Sequence, residues 1–357
     1  MAANSKSSAS NSSNTDDPNS ISRETKRPRR SRSLKGDEVK DTMEVGLLRN
    51  NNNPSSDKSS SEPPQTEEDN LRQVAGEATV VEFDSRTGLP LHQDHFLPDG
   101  VFDPIRGIVK KRLPRSLFEK LVCIHKRIQQ EVDASRRVPW AGINDGDAKV
   151  RAFGFLGESS WHRLDHESAV RLVAPEKEGQ DAIDDETANR KAICILDMED
   201  ADLDVEGTTN EFINFLNPNS AKLDSKTVCP EELIAYQINM HNGMRYLPAH
   251  LDWPLHEGFG KVIVTVAIRG DADVLLIAGD TVVVGGEELQ PAWRFHLEQG
   301  ECYVLSDRAR NRCLHAVVAN EDNKARESLN LRFGLHTEDE ARHQITKYWA
   351  DQLIGGN

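Results

Sequence analysis

Apolar and polar positions along the chain change their period twice. From Pro114 onward Leu117, Phe118, Leu121, Ile124, Ile128 and Val132 recur every three or four residues, which predicts an amphipathic helix of about five turns, with Pro114 near its first turn. After Glu231 the period shortens to that of strands. Apolar, β-branched runs occupy Leu233–Met240, Val262–Ile268, Val274–Ala278, Thr281–Val284, Arg294–Leu297, Cys302–Leu305, Cys313–Val318 and Ser328–Leu335. Gly258, Gly260, Gly270-Asp271, Gly279-Asp280, Gly285-Gly286 and Gly300 punctuate them. Short, closely spaced strands separated by turn residues predict an antiparallel barrel or jelly roll rather than a parallel sheet with crossover helices. The final stretch, Thr337 to Ile354, returns to a helical pattern opened by a Thr337/Glu340 capping box.

The first 75 residues have neither period. Asn50 to Asn53, Ser59 to Ser61 and many prolines and charges make a segment unable to bury enough apolar area to offset its ordering entropy, so a disordered tail is expected over residues 1–75. Inside it lies Lys26-Arg27-Pro28-Arg29-Arg30-Ser31-Arg32, a basic cluster of the kind importins read, or one able to touch phosphates, or a plain solvated charge run. Residues 178–206 are acidic and irregular around the apolar Ala192 to Leu196, which predicts an exposed insertion with one buried segment. The expected organisation is the tail at 1–75, a helical and lid region at 76–229, a β core at 230–336 and a C-terminal helix at 337–357.

Charge narrows the partners. The formal net charge is -15, from 44 Lys+Arg and 59 Asp+Glu. The tail holds 12 of each sign, so residues 76–357 carry the whole deficit, 32 basic against 47 acidic. A general basic footprint for nucleic acid is therefore absent, although a local basic groove remains compatible with an acidic domain. Five widely spaced cysteines without a CxxC pair argue against a disulfide framework or a zinc ribbon and place the chain in nucleus or cytoplasm. No apolar run approaches the roughly 20 residues of a membrane-spanning helix.

The chemistry concentrates in the β-rich half. In His250-Leu251-Asp252 the first and third side chains share one side of an extended chain, pairing an imidazole with a carboxylate. His315 adds a second imidazole from a later strand, and two histidines with one carboxylate form the facial donor set of non-haem Fe(II) oxygenases. Downstream, Arg326, Ser328, Asn330 and Arg332 alternate with Leu329, Leu331 and Phe333, so one strand face is wholly polar. Two guanidiniums and two hydrogen-bonding groups on one face suit a dicarboxylate.

Taken in order, these elements resemble the AlkB-like branch of the Fe(II)/2-oxoglutarate dioxygenases over about residues 230–336. Ile238-Asn239-Met240-His241 before His250-Leu251-Asp252 is similar to that family's approach to its HxD. Gly260 to Val266 and Leu297 to Leu305 are similar to its following strands, and Arg326 and Arg332 stand six apart as in its R-x-N-x-x-x-R. The resemblance implies a mainly β fold with flanking helices, a double-stranded β-helix (jelly-roll) core with an N-terminal helical and lid region. It implies Fe(II) on His250, Asp252 and His315, 2-oxoglutarate as cosubstrate on Arg326, Ser328, Arg332, Asn239 and His241, and O2 as oxidant. It further implies hydroxylation coupled to decarboxylation of the cosubstrate, with loss of formaldehyde where the hydroxylated carbon is an N-methyl group. Three positions depart from the family: His241 stands in a tyrosine slot, Ser328 in an asparagine slot, and Pro254 where bacterial base-repair members carry an acidic residue. Trp253, His256 and Glu257 are candidates for the substrate mouth, and Trp140, Phe153, Phe155 and Trp161 lie where the family places its lid, either stacking on a base or packing in a core. The expected function is oxidative demethylation of alkylated nucleic acid; protein-directed demethylation or hydroxylation, and a non-catalytic jelly-roll binding module, are the alternatives.

Overall fold

The computed structural model describes residues 66–91, 105, 108–134, 141–144, 147–157, 192–196, 200, 202–217, 232–242, 246–252, 258–279, 282–284, 287–320, 325–337, 339–340 and 343. The elements begin with helix α1 (Glu67–Glu77), strands β1 (Thr79–Val80) and β2 (Val109–Arg112), and helix α2 (Arg115–Ala134). Strands β3 (Ala141–Asn144), β4 (Asp147–Leu156) and β5 (Ala192–Leu196) and helix α3 (Val205–Leu216) follow. Then come β6 (Leu233–Asn242), β7 (Tyr246–His250), β8 (Val262–Arg269), β9 (Ala272–Ala278), β10 (Val282–Val284) and β11 (Glu287–Leu289). The described elements end with β12 (Ala292–Leu297), β13 (Glu301–Ser306), helix α4 (Asp307–Arg312), β14 (Cys313–Ala319) and β15 (Ala325–Phe333).

Pairing is nested. Strand β9 pairs antiparallel with β12, β8 with β13, β7 with β14 and β6 with β15. The successive pairs fall alternately into two sheets, β1-β12-β9-β14-β7 and β2-β13-β8-β15-β6-β4-β3, with β5 added parallel to β4. A single antiparallel ribbon wound so that alternate rungs face each other is a jelly roll, the double-stranded β-helix expected from the strand spacing.

Alternation decides what each sheet face meets. On the large sheet Val264, Val266, Val304, Leu329 and Leu331 point outward and pack under α2 through Leu117, Leu121, Ile124 and Ile128, all four fully buried. Each of those helix side chains contributes roughly 1.5–3 kcal/mol of burial, which holds the five-turn helix on the sheet. Inward-facing Ile263, Val274, Leu276, Trp293 and Phe295 close one end of the space between the sheets. Polar side chains line the remaining part.

Two expectations about organisation change. The boundary at residue 75 falls inside α1: Thr66 and Asp69 form a complete capping box, and Leu71 and Ala75 are buried against Leu275, Leu314 and Ala316 of the small sheet. The run before Leu71 is almost wholly polar, so its helical start is carried by the cap rather than by apolar periodicity. Replacing Leu71 by alanine is expected to lower unfolding free energy by about 2–4 kcal/mol, measurable by thermal or urea unfolding. A negligible change would return α1 to the tail. Second, the 76–229 region is not only helical; β2, β3, β4 and β5 extend the large sheet. In the C-terminal segment the expected cap is present, with Thr337 Oγ1 accepting from Glu340 N at 3.1 Å, while residues 344–354 lie outside the described residues.

Candidate metal and cosubstrate site

Strands β7 and β14 place the two histidines directly opposite each other, His250 against His315, and their rings lie 4.1 Å apart between centroids. Ligand atoms of His250, Asp252 and His315 all fall within 4.8 Å of one another, the one such cluster of metal-binding side chains found among the described residues. A β-bulge makes this possible. Between the pairs His315↔His250 and Val317↔Leu247, β7 carries one residue more than β14. The extra residue shifts the alternation, so Leu247 and His250 both face the cavity whereas Ala249 and Leu251 pack outward.

The same bulge orients the ligand. His250 Nδ1 lies 2.8 Å from the carbonyl oxygen of Pro248, to which it donates as the N–H tautomer, leaving Nε2 with its lone pair for a metal. His315 is kept neutral: burial, reinforced by the adjacent His250, pushes its pKa down to about 3 despite Asp252. Burial alone would raise the Asp252 pKa, but Arg332, His315, His250 and Arg310 outweigh it and hold the carboxyl ionised far below its usual range. Arg332 Nη1 lies 3.5 Å from Asp252 Oδ2. A neutral His315 imidazole, a His250 ring oriented through Nδ1 by Pro248 O, and an ionised carboxylate make a donor set for a divalent cation, and nitrogen with oxygen donors suit Fe(II).

The cavity around the cluster, about 490 Å³ including its opening, is lined by Arg151, Gln237, Asn239, His241, Thr265, Tyr303, Arg326, Ser328, Asn330 and Arg332 besides the three ligands. Arg326 and Arg332 start roughly 20 Å apart along β15, at 3.3 Å per residue, yet both reach this one cavity. Both guanidiniums are almost wholly buried. Every residue expected from the sequence to touch metal or cosubstrate is therefore on the cavity wall. Thr265 bonds the Tyr303 phenol, whose pKa is raised by burial, and Tyr303 sits beside Arg326.

Several residues on the cavity wall or behind it were not expected. Gln237 shares the inward face of β6 with Asn239, a position the two-residue period marks once Asn239 is recognised. Tyr303 is the polar-tipped member of the apolar run Cys302–Leu305 within β13. Arg310, on α4, gave no signal in a charged linker; it is buried and donates through Nε to Gly260 O at 2.8 Å and through Nη2 to Gly258 O. With Arg332 donating to Phe259 O at 3.0 Å, two arginines grip three successive carbonyls shortly after Asp252. Gly260 sits there with φ of 110°, a conformation that only glycine adopts without strain. Of the aromatic candidates, Phe153 and Phe155 are packed with Phe259 in a buried cluster, the core reading rather than the base-stacking one. Trp140, Trp161, Trp253, Pro254, His256 and Glu257 lie outside the described residues, as does the Lys26 to Arg32 cluster.

Buried neutral histidines make stability depend on pH. His315 and His336, the latter pushed down to about 4 chiefly by burial, are both unprotonated in the folded metal-free chain between about pH 4 and 6.5, while an unfolded chain takes up protons. Stability must then rise with pH across that window, by up to about 1.4 kcal/mol per pH unit for each histidine. Asp252 is ionised in the folded chain throughout and nearly so in the unfolded chain above about pH 5, so it adds a slope of the same sign only at the acidic end of the window. Urea unfolding of metal-free protein at pH 4.5 and 6.5 measures the effect, and His336→Gln should lower the slope.

No protein-family model matches the sequence, and no curated protein matches it. Among solved structures, one titled "The structure of OsALKBH1" aligns with 65% of this chain and 99% of its own, at 16% identity and a TM-score of 0.33. A 2OG-Fe(II) oxygenase family oxidoreductase from Burkholderia pseudomallei aligns with 65% of this chain and 85% of its own, at 14% identity and a TM-score of 0.31. A Pseudomonas putida prolyl-4-hydroxylase aligns with 64% and 93%, at 13% identity and a TM-score of 0.32. The jelly-roll assignment rests on the nested strand pairing, and the site assignment on its donors.

Proposed function

We propose that this chain is an AlkB-like Fe(II)- and 2-oxoglutarate-dependent oxygenase that demethylates alkylated nucleic acid. One observation carries the reading: a two-histidine, one-carboxylate cluster and two buried arginines from a single strand line the same cavity. His250, Asp252 and His315 would hold the metal, and Arg326, Arg332, Asn239, His241 and Ser328 the cosubstrate. Bound there, iron and 2-oxoglutarate supply the oxidising chemistry, in which decarboxylation of the 2-oxo acid drives hydroxylation of a C–H bond by O2. The chain supplies the rest. Pro248 O fixes the His250 tautomer, Arg332 keeps Asp252 ionised, and Arg326 presents a guanidinium at the far end of the wall. The apolar end formed by Trp293, Phe295 and Leu276 excludes water from one side.

Nucleic acid as substrate is supported by the resemblance of residues 230–336 and by the basic cluster at Lys26 to Arg32. The acidic balance of residues 76–357 supports a protein substrate instead, as a second reading. A non-catalytic module has no use for three metal-ligating side chains clustered within 4.8 Å beside buried cations. The test is succinate and formaldehyde release by the Fe(II)-loaded full chain against N-methylated DNA, RNA and peptides. Both products with DNA or RNA are expected; release with peptides alone would move the assignment to the second reading, and no succinate with any substrate would defeat it.

A further inference from the structure

We propose that Gln237 is a positioning residue that sets the direction of a buried hydrogen-bond chain and so turns the Ser328 hydroxyl into a donor aimed at a carboxylate of bound 2-oxoglutarate. The inference rests on the cosubstrate assignment above and goes beyond it in saying what reads the ligand and why.

The chain starts at a group with only one possible role. A guanidinium has donors and no acceptor, so Arg332 Nη2, 2.5 Å from the Gln237 amide, must face its oxygen Oε1. That leaves the Gln237 nitrogen facing Asn239, and Nε2 donates to Asn239 Oδ1 at 2.8 Å. The Asn239 nitrogen is then turned to Ser328, and Nδ2 donates to Ser328 Oγ at 3.3 Å. Each amide orientation follows from the one before it. Ser328 Oγ already accepts, so its single proton must find an acceptor elsewhere, and no acceptor bonds it among the described residues. Gln237 is 1% exposed, Ser328 is 2% exposed, and both lie on the cavity wall, where a buried hydroxyl proton calls for a ligand atom. A carboxylate, which only accepts, is the matching chemistry between Arg326 and Arg332. The small hydroxyl in a slot where the resembled family has asparagine thus keeps a donor, by virtue of a glutamine two rungs away.

Gln237→Glu separates this role from simple support of Arg332. The substituted carboxylate keeps the bond to Arg332, yet it has no proton for Asn239. The Asn239 amide must then turn its nitrogen to that carboxylate and its oxygen to Ser328, and Ser328 donates backwards and shows the cavity only lone pairs. The measurement is calorimetric titration of 2-oxoglutarate into the Mn(II)-loaded full chain, where binding is read without turnover. Ser328→Ala is expected to weaken binding about tenfold, and Gln237→Glu by at least as much, with Mn(II) affinity unchanged. In the Ser328→Ala background the Gln237→Glu change should cost less than about twofold, since no hydroxyl remains to be reversed. An equal loss in both backgrounds would mean direct repulsion by the new charge and would overturn the inference, as would wild-type affinity in Gln237→Glu. If that variant does not fold, Gln237→Met removes the directional cue without charge and should weaken binding at least threefold only while Ser328 is present; equal loss without Ser328 overturns the inference. Wild-type protein that bound no 2-oxoglutarate would sink the cosubstrate assignment together with this inference, whereas tight wild-type binding with an inert Gln237 sinks the inference alone.

Discussion

Removing either histidine, His250→Ala or His315→Ala, is expected to abolish stoichiometric Fe(II) binding and all succinate formation while leaving a folded chain. Each variant deletes one of three donors from a cluster whose ligand atoms lie within 4.8 Å, and the remaining pair cannot hold the metal with open positions for cosubstrate and oxidant. The fold should survive because truncating either ring leaves a small polar hole and keeps the Asp252 carboxylate that faces the buried Arg332. Asp252→Ala should behave differently. Its carboxylate faces Arg332 at 3.5 Å and lies in the field of Arg310, both guanidiniums being almost wholly buried. Deleting it strands two buried cations, a loss of about 3–5 kcal/mol of stability for a broken buried pair in addition to the loss of metal. Metal titration and urea unfolding of the three variants make the comparison. If the His250→Ala, His315→Ala double variant consumed 2-oxoglutarate at the wild-type rate, the metal assignment would be wrong, and if Asp252→Ala were as stable as the histidine variants, the charge balance described around Arg332 would be wrong.

How far the sequence reveals this site depends on which groups obey a local period. Strands β8, β9, β13, β14 and β15 were legible because each is an apolar run bounded by turn residues, and the polar face of β15 because Arg326, Ser328, Asn330 and Arg332 keep a strict two-residue repeat. Strand β7 was less so. It contains Pro248, and its bulge inserts a residue that no alternation rule anticipates, yet that residue is what turns His250 inward and offers it a carbonyl. Helix α1 hid behind a polar composition, its signal lying in one capping box and two buried side chains. Arg310 was illegible for another reason. Its partners are main-chain carbonyls 50 and 52 residues upstream, and backbone acceptors leave no trace in residue identity. Gln237 and Tyr303 fall between these cases, since their faces were predictable but their partners came from other strands. The polar spine from Arg332 to Ser328 therefore became visible only when β6 and β15 were set side by side, in the register Ser328↔Asn239 and Asn330↔Gln237.

The requirement for 2-oxoglutarate is expected to rise at least about 30-fold in Arg326→Ala, with the Fe(II) requirement nearly unchanged. Arg326 is 5% exposed, and burial draws its pKa below the usual arginine value. Among the described residues no carboxylate pairs with it, and the titratable group beside it in the site is the Tyr303 phenol, which burial keeps protonated and neutral. A guanidinium desolvated without an internal counter-charge is costly, and the cost is offset when a ligand carboxylate arrives to pair with it. Truncating one partner of such a buried charged pair costs roughly 2–5 kcal/mol, from which the roughly 30-fold lower bound follows. The position also says which end of the ligand is held. Arg326 pairs across β6 with His241, four residues along that strand from Gln237 and the Arg332 bond, so its contact is remote from Asp252 and the metal. Loss of the anchor should then raise the cosubstrate KM far more than it lowers kcat, because the metal-proximal contacts made by Arg332 and the Ser328 chain persist. Arg326→Lys should recover little, since an ammonium point charge does not reproduce two parallel N–H bonds to a carboxylate. The check is a pair of titrations, succinate formation against 2-oxoglutarate and against Fe(II), on wild type and both variants. Unchanged cosubstrate affinity in Arg326→Ala would transfer the anchor to another cation on the wall, with Arg151 on β4 the first to test because it lines the same cavity.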